Sequence, residues 1–282
     1  MITSNSFVKL VQHKYAILVA VMRKIMHDVT IDNFSKAKKK LAEKIVEKAI
    51  IQHDLEMVNF ANLIIRKAYN ERKKQMQVIL KRKKYNKVDS DQVHNEKVIE
   101  LQDGLGMAFL KANKSIKKTA QSYLDLTEQA VDYLQNPKIQ EFNQGEFDAG
   151  IDDIVKANIN TSLGTIKKNI KQYFNDSFGD LDVIIIGERM YKISSYLEML
   201  ARTEIIDVLT QASIETCKQW GDDLVQFSHH DSPCEICSEL EGEIFSISGD
   251  SEKYPELSDD ATPPVHPNCE HNLNPVSFAE AS

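Results

Sequence analysis

Between residues 234 and 271 the chain carries five Cys and His side chains of metal-ligand type at short spacing. Cys234 and Cys237 form a C-x-x-C turn, and His266, Cys269 and His271 follow in the run His266-Pro-Asn-Cys-Glu-His271. Zinc takes thiolate and imidazole ligands in a tetrahedron, and a C-x-x-C turn places two sulfurs on one side of the ion. The second knuckle supplies the other pair. The segment between them is rich in Gly, Ser, Asp and Pro, has little to bury, and needs a clip to hold its ends. The expected ligands of a structural Zn2+ are Cys234, Cys237, Cys269 and His266, with His271 the alternative for the fourth place. A redox pair is disfavoured because no strand-then-helix pattern surrounds the two cysteines. Ordinary core positions are disfavoured by Pro233, Glu235 and Glu239.

Other chemistries fit less well. Pro233-Cys234-x-x-Cys237 is half of a zinc deaminase signature, but no H-x-E or C-x-E stands upstream; Cys217 is followed by Lys218 and Gln219. His229, His230, His271 and Asn272 flank the metal ligands and keep a zinc-dependent nuclease as the alternative function. Glu241-Gly-Glu243 imitates the E-x-E of ADP-ribosyltransferases, yet it falls within a Leu240-x-Gly242 turn. His230, Asp231 and Ser232 are neighbours in sequence, which does not make a triad, because such groups must converge in space. No residue is assigned a catalytic role.

The ligand spacing belongs to a longer pattern. Asp231-x-x-Cys234-x-x-Cys237, Leu240-x-Gly242-x-x-Phe245 and Pro263-Pro-x-His266-Pro-Asn-Cys269-x-His271 together resemble the C-terminal signature of tailed-phage minor head proteins. These are the head morphogenesis proteins typified by the F protein of phage Mu. Ala201-Arg202-Thr203-Glu204, followed by Trp220-Gly221, fits the same pattern, and the resemblance covers roughly residues 150 to 276. The chain departs from it at Glu270, where Arg is frequent, and at His271, where Cys is commoner. The resemblance implies a structural minor head protein rather than an enzyme. It would sit inside the capsid at the portal vertex, after assembly in the host cytoplasm, and act in head assembly and genome packaging or delivery. Its partners would be the portal protein and other capsid components, with no small-molecule substrate.

The elements that must position these residues follow from charge and periodicity. Residues 1 to 88 carry 20 Lys+Arg against 7 Asp+Glu, a balance of +13, and the remainder is at −20. A basic front and an acidic back call for different partners. The basic cluster Arg72, Lys73, Lys74, Lys81, Arg82, Lys83 and Lys84 is the candidate contact for the portal or for packaged DNA. With only Tyr69 and Tyr85 nearby to stack on bases, it would not read sequence. Four cysteines with three in a metal-like pattern suit a reducing compartment. The apolar run 15 to 22 is too short for a membrane span, which needs about twenty residues, and no membrane partner is expected.

The expected fold is mainly α: long N-terminal helices, then a small α+β C-terminal module closed by the C-x-x-C…H-P-x-C knuckle. The division expected is a basic helical region 1–137, a linker 138–150, a minor head domain 151–276 and a tail 277–282. A first helix over 6–28 is apolar on most faces, with Phe7, Leu10, Val11, Ile17, Leu18, Val21 and Ile25 available for burial. Thr30 to Asn33 make a capping break. A second helix runs over 34–86 with Leu41, Ile45, Leu55, Val58, Leu63 and Ile64 at helical spacing. A third runs over 97–135, and Asn136-Pro137 ends it. Residues 151–178 look helical, 182–187 reads as a strand, and 189–218 reads as a helix carrying the structural pair Arg202 and Glu204. Residues 223–228 and 243–247 alternate as a hairpin.

Overall fold

The computed structural model describes residues 4–82, 91–135, 162–178, 183–186 and 189–276. The expected linker 138–150, the tail 277–282, Lys83 and Lys84 lie outside the described residues. The protein is mainly helical, with small antiparallel sheets. Its residues group into two compact units, one from Met1–Gln12, Met57–Phe109 and Leu197–Ser282, the other from His13–Glu56 and Leu110–Tyr196.

Helices α1 (Ser4–Asp28), α2 (Lys36–Arg82) and α3 (Asp91–Gln135) give segments to both units. The break between α1 and α2 is polar, as its residues suggest: Thr30 N–H donates to Asn33 Oδ1 at 2.8 Å, and Ser35 Oγ caps α2 by accepting from Lys38 N at 3.2 Å. Such N-cap oxygens satisfy amide donors that the helix itself leaves unpaired. In α1 one face is buried, through Phe7, Val11, Leu18 and Ile25, while Leu10 and Ile17 are exposed. In α2 the expected stripe is covered only at Ile64 and, in part, at Val58. Leu41, Ile45, Leu55 and Leu63 lie outside, and Ala42, Val46, Ile50, Met57, Ala61, Ile64, Ala68 and Met76 lie inside. Those buried positions recur at intervals of three, four, seven or eight residues, which keeps them on one face of the helix. In α3 the apolar positions at helical spacing, Val98, Leu101, Leu105, Phe109, Ile116, Ala120, Leu124, Leu126 and Val131, are buried.

The His13–Glu56 and Leu110–Tyr196 unit adds α4 (Leu163–Phe178) and the hairpin β1 (Val183–Ile186) and β2 (Arg189–Lys192), with Ile184 opposite Tyr191. Residues 189–192 were expected to be helical, but they pair as a strand, and the helix starts only at Ile193. Tyr123 anchors this unit: its ring meets Phe174 and Phe178 edge-on at 5.5 Å each, and its hydroxyl lies 2.9 Å from Val29 O. Lys39 adds an ion pair with Asp125 at 2.6 Å and one with Glu128.

The other unit is organised by α5 (Ile193–Trp220). The helix ends where Gly221 turns to φ 69°, with Gly221 N bonded to Lys218 O and Asp222 N to Cys217 O. This is the Schellman arrangement that glycine permits. Beyond it, β3 (Leu224–Phe227) is the centre of a three-stranded antiparallel sheet in the order β4-β3-β5, with β4 at Ile244–Ser246 and β5 at Leu273–Pro275. The hairpin was expected; the third strand was not. Met76, Ile214, Cys217, Val225, Phe227, Phe245 and Leu273 form the apolar cluster under this sheet, and Cys237 and Cys269 belong to it.

Candidate metal centre

The first cysteine turn hangs from the short helix α6 (Glu235–Ser238). Cys234 is its N-cap, and its sulfur accepts from Cys237 N at 3.5 Å. The chain then folds back through Leu240-x-Gly242. Leu240 N and Glu241 N both bond to Cys237 O, and Gly242 takes φ 79°. A Cβ at Gly242 would lie 3.0 Å from the His229 ring, so positive φ and close approach both require glycine there. The second turn is His266-Pro-Asn-Cys269. Asn268 sits at φ 65°, a conformation that Asn tolerates better than most residues, and Cys269 N closes on His266 O.

The two turns bring all five candidate ligands together. The ligand atoms of Cys234, Cys237 and His266 lie within 4.8 Å of one another, and so do those of Cys237, Cys269 and His271. Cys237 belongs to both groups. His266 Nε2 is 3.1 Å from Cys234 Sγ and 3.0 Å from Cys237 Sγ; Cys237 Sγ is 4.0 Å from Cys269 Sγ; His271 Nδ1 is 3.8 Å from Cys269 Sγ. A tetrahedron with Zn–S near 2.3 Å and Zn–N near 2.0 Å has S···S edges of about 3.8 Å and S···N edges of about 3.5 Å. Each group of three therefore has ligand atoms close enough to hold a metal, while the expected four, Cys234, Cys237, His266 and Cys269, are divided between the two groups.

Both histidines present a bare nitrogen to the sulfurs. His266 Nδ1 lies 2.8 Å from Pro267 O, and a carbonyl only accepts, so Nδ1 carries the proton and Nε2 does not. His271 Nε2 lies 2.9 Å from Glu241 Oε1, which assigns the proton to Nε2 and leaves Nδ1 free to face Cys269. A carboxylate behind a ligating imidazole fixes its tautomer and ring orientation. Hydrogen bonding from His271 in turn holds the Glu241 carboxyl below its ordinary range. Burial, with the Cys269 thiol beside it, pushes the Cys237 thiol up, whereas backbone N–H bonding from Cys237 holds Cys234 down. A coordinated metal reverses the first effect, since a coordinating thiol is deprotonated outright.

The Ala201-Arg-Thr-Glu204 segment of α5 docks this knuckle, although not as an Arg–Glu pair. Residues two apart on a helix do not face each other. Arg202 reaches Glu198 at 3.1 Å, Asn5 Oδ1 at 2.9 Å and the Glu270 carboxylate. Thr203 Oγ1 accepts from Asn268 N at 3.3 Å. Glu270 also holds His230 Nε2 at 2.8 Å, so this acidic side chain joins α5, the first turn and the second. Glu204 instead lines a 300 Å3 cavity with Asp207, Asp259 and Pro263.

The basic cluster divides. Arg72 is engaged inside its unit, donating to Ser213 Oγ at 2.8 Å, Leu273 O at 2.8 Å and Asn274 Oδ1 at 3.1 Å, and so ties α2 to α5 and β5. Lys73 is half-buried, and Lys74 and Lys81 are exposed. Sequence reasoning missed the clamp role of Arg72, because a strand partner about 200 residues away leaves no local mark. It also missed Glu241 as the support of His271. An 850 Å3 cavity beside the end of α5 is lined by Lys218, Asp222, Leu224 and Tyr254 and by no candidate ligand. No helix among the described residues is long and apolar enough to cross a membrane.

Long helices, a small antiparallel sheet and a Cys/His cluster that could hold a metal define a mainly helical protein with a C-terminal knuckle. The chain belongs to the phage minor capsid protein 2 family, whose model matches residues 52–278, about four-fifths of the sequence. That agrees with a phage minor head protein, and makes the chain a structural component of the head and virion. The match begins within α2, upstream of the stretch that carried the sequence resemblance. Neither the curated proteins nor the solved structures compared with the chain give a match.

Proposed function

We propose that the protein is a minor head component of the portal vertex whose C-terminal module is closed by one structural zinc ion. Cys234, Cys237, Cys269 and His266 hold the ion, and His271 stands behind Cys269 as the alternate ligand. The observation that carries this reading is the pair of Cys/His groups joined at Cys237, each with an imidazole nitrogen bare toward the sulfurs. Four protein ligands close the shell, whereas a hydrolytic zinc site keeps a position for water. The ion's part is to fix the two turns; the sheet and α5 then present a rigid face to capsid partners. Lys73, Lys74 and Lys81, with Arg82, Lys83 and Lys84 beyond them, form a basic stretch for the portal or for packaged DNA, inside the capsid.

Metal analysis of purified protein tests the centre: one zinc per chain, lost in the Cys237→Ser variant, is the expected result. Turnover of a nucleic-acid substrate that disappears with the ion would replace this reading with the nuclease. Quantifying the protein in purified particles, with and without the portal vertex, tests the placement. A Lys81→Glu/Arg82→Glu/Lys83→Glu variant that binds portal and DNA as tightly as the parent would remove the role of the basic stretch.

A further inference from the structure

Two helix faces carry exposed apolar rows of equal length and opposite charge. On α2, Leu41, Ile45, Ile51 and Leu55 are 42–60 % exposed. Spacings of three, four and seven residues put Lys44 and Lys48 on the same face, between the apolar side chains. Both lysines are exposed and take no hydrogen bond or ion pair among the described residues. Glu43 and Glu47 lie about 100° or more round the helix from Lys48, at about 3.6 residues per turn. On α3, Val93, Ile99 and Met107 are 43–67 % exposed, and the exposed Glu96, Glu100 and Asp103 share their face at the same kind of spacing. Asp103 takes no partner among the described residues. Glu96 accepts from its helix neighbour Gln92 at 2.9 Å, and Glu100 pairs with Lys97 at 3.0 Å. Such a surface pair within one helix is weak and leaves the carboxylate able to take a second cation. The acidic run ends at Met107, and Lys111 begins the next turn.

Apolar side chains scattered singly over a surface need no partner, but a row repeated along one helix face is a seam on which another helix can lie. From Leu41 to Leu55, and from Val93 to Met107, each row rises about 21 Å at about 1.5 Å per residue. Lys48 and Glu100 stand at the midpoints of their rows, so they meet whichever way the two helices run. Charges in such a seam choose the partner partly by what they exclude. Two α2 faces would bring Lys44 and Lys48 onto their own copies, and two α3 faces would crowd their carboxylates together. An α2 face laid on an α3 face sets the lysines against carboxylates and the apolar side chains against one another.

We propose that these two faces bind each other between copies of this chain, α2 of one copy lying along α3 of the next. The contact is heterologous: each copy offers its α2 face to one neighbour and its α3 face to another. Such contacts build a ring where the rotation closes and a filament where it does not. The contact uses neither the metal centre nor the basic stretch, and it stands or falls apart from both.

The test follows the mass of the full chain by sedimentation velocity over a range of protein and salt concentrations. Lys48→Glu and Glu100→Lys variants, checked by circular dichroism for unchanged helicity, are run alone and mixed. The parent is expected to assemble as its concentration rises and to loosen as salt screens the charges. Each variant alone sets like charges against each other and should associate at least about tenfold more weakly. Mixing the two variants should restore assembly, because each reversed charge then meets an opposite one on the other chain. Assembly that weakens in Lys48→Glu but is untouched by Glu100→Lys, or that mixing does not restore, gives the α2 face to another occupant and overturns the pairing. A parent still monomeric at about 1 mM, where even a millimolar contact populates dimers, overturns it as well.

Discussion

The helical unit of His13–Glu56 and Leu110–Tyr196 and the sheet module of residues 221–276 reach order by different physics. The first packs Tyr15, Ile50, Phe174 and their neighbours over long helices, so each residue fixed adds apolar contact along a repeating face. The second has three strands of three or four residues and a long irregular loop. A two- or three-stranded sheet of that size is marginal by itself. Its order comes from point attachments: the Cys/His groups, the Arg72 clamp on β5, and Arg202 and Thr203 gripping the second turn. Spread-out packing fails gradually when one residue is removed. A pinned loop fails at the pin.

The sharpest way to break this contrast is Cys237→Ser, because Cys237 is shared by both ligand groups. Structural zinc contributes about 10–16 kcal/mol in zinc-finger peptides, as much as the whole stability of a typical domain. The expected outcome is loss of the ion and of amide-exchange protection over residues 221–276, with protection retained in the helical unit. Cys234→Ser, at an exposed ligand in only one group, should do the same less completely. Equal loss of helicity throughout the chain, by circular dichroism, would contradict the contrast. Phe174→Ala probes the other side. Removing this buried ring should cost the helical unit about 3–5 kcal/mol in a denaturant melt while leaving zinc content unchanged. Next in size is Arg72→Ala, which strips Leu273 O and Ser213 Oγ of a charged donor. A loss of about 1.5–3 kcal/mol, read as faster exchange at residues 273–276, is expected. Arg72→Lys should not restore it, since one ammonium cannot reach three acceptors set for a fork.

The same contrast governs how much was legible in the sequence. The grouping of the Cys and His side chains was, because residues that could hold a metal stand at fixed spacing, and the turns that carry them need Gly242 and Asn268 for stated backbone reasons. The α3 core was, because most of its apolar residues recur on one face, with Val93, Ile99 and Met107 the exposed exceptions. The covered face of α2 was not: apolar residues occupy two opposite sides of that helix, and only tertiary packing selects Ala42, Val46 and Met57 over Leu41, Ile45 and Leu55. Strand β5, at Leu273-Asn-Pro275, has three residues and ends in proline, too little for any periodicity. The partners of Arg202 were hidden as well, because Glu270 lies 68 residues on and only the folded second turn brings it near. Glu270 bridges Arg202 and His230.

Glu204 offers the smallest and most discriminating test. Burial first, and the Asp207 carboxylate second, push its carboxyl up from 4.5 to about 7. Between those values the folded chain keeps a proton that the unfolded chain has released. Stability is therefore present in full below the unfolded value and is lost as pH rises through about 7. Glu204→Gln removes the titration. Relative to the parent it should be near neutral at the acid end and more stable by about 1 kcal/mol at about pH 8, a figure discounted for the partial exposure of the side chain. Denaturant midpoints of both proteins measured across roughly pH 5 to 8 give the difference directly, and a difference that does not grow with pH would mean that Glu204 titrates normally. Glu204 shares its cavity with Asp259 and Pro263 of the pinned loop, so the pH-dependent change should appear in exchange of residues 258–264. The α4 amides of the helical unit should stay flat over the same range.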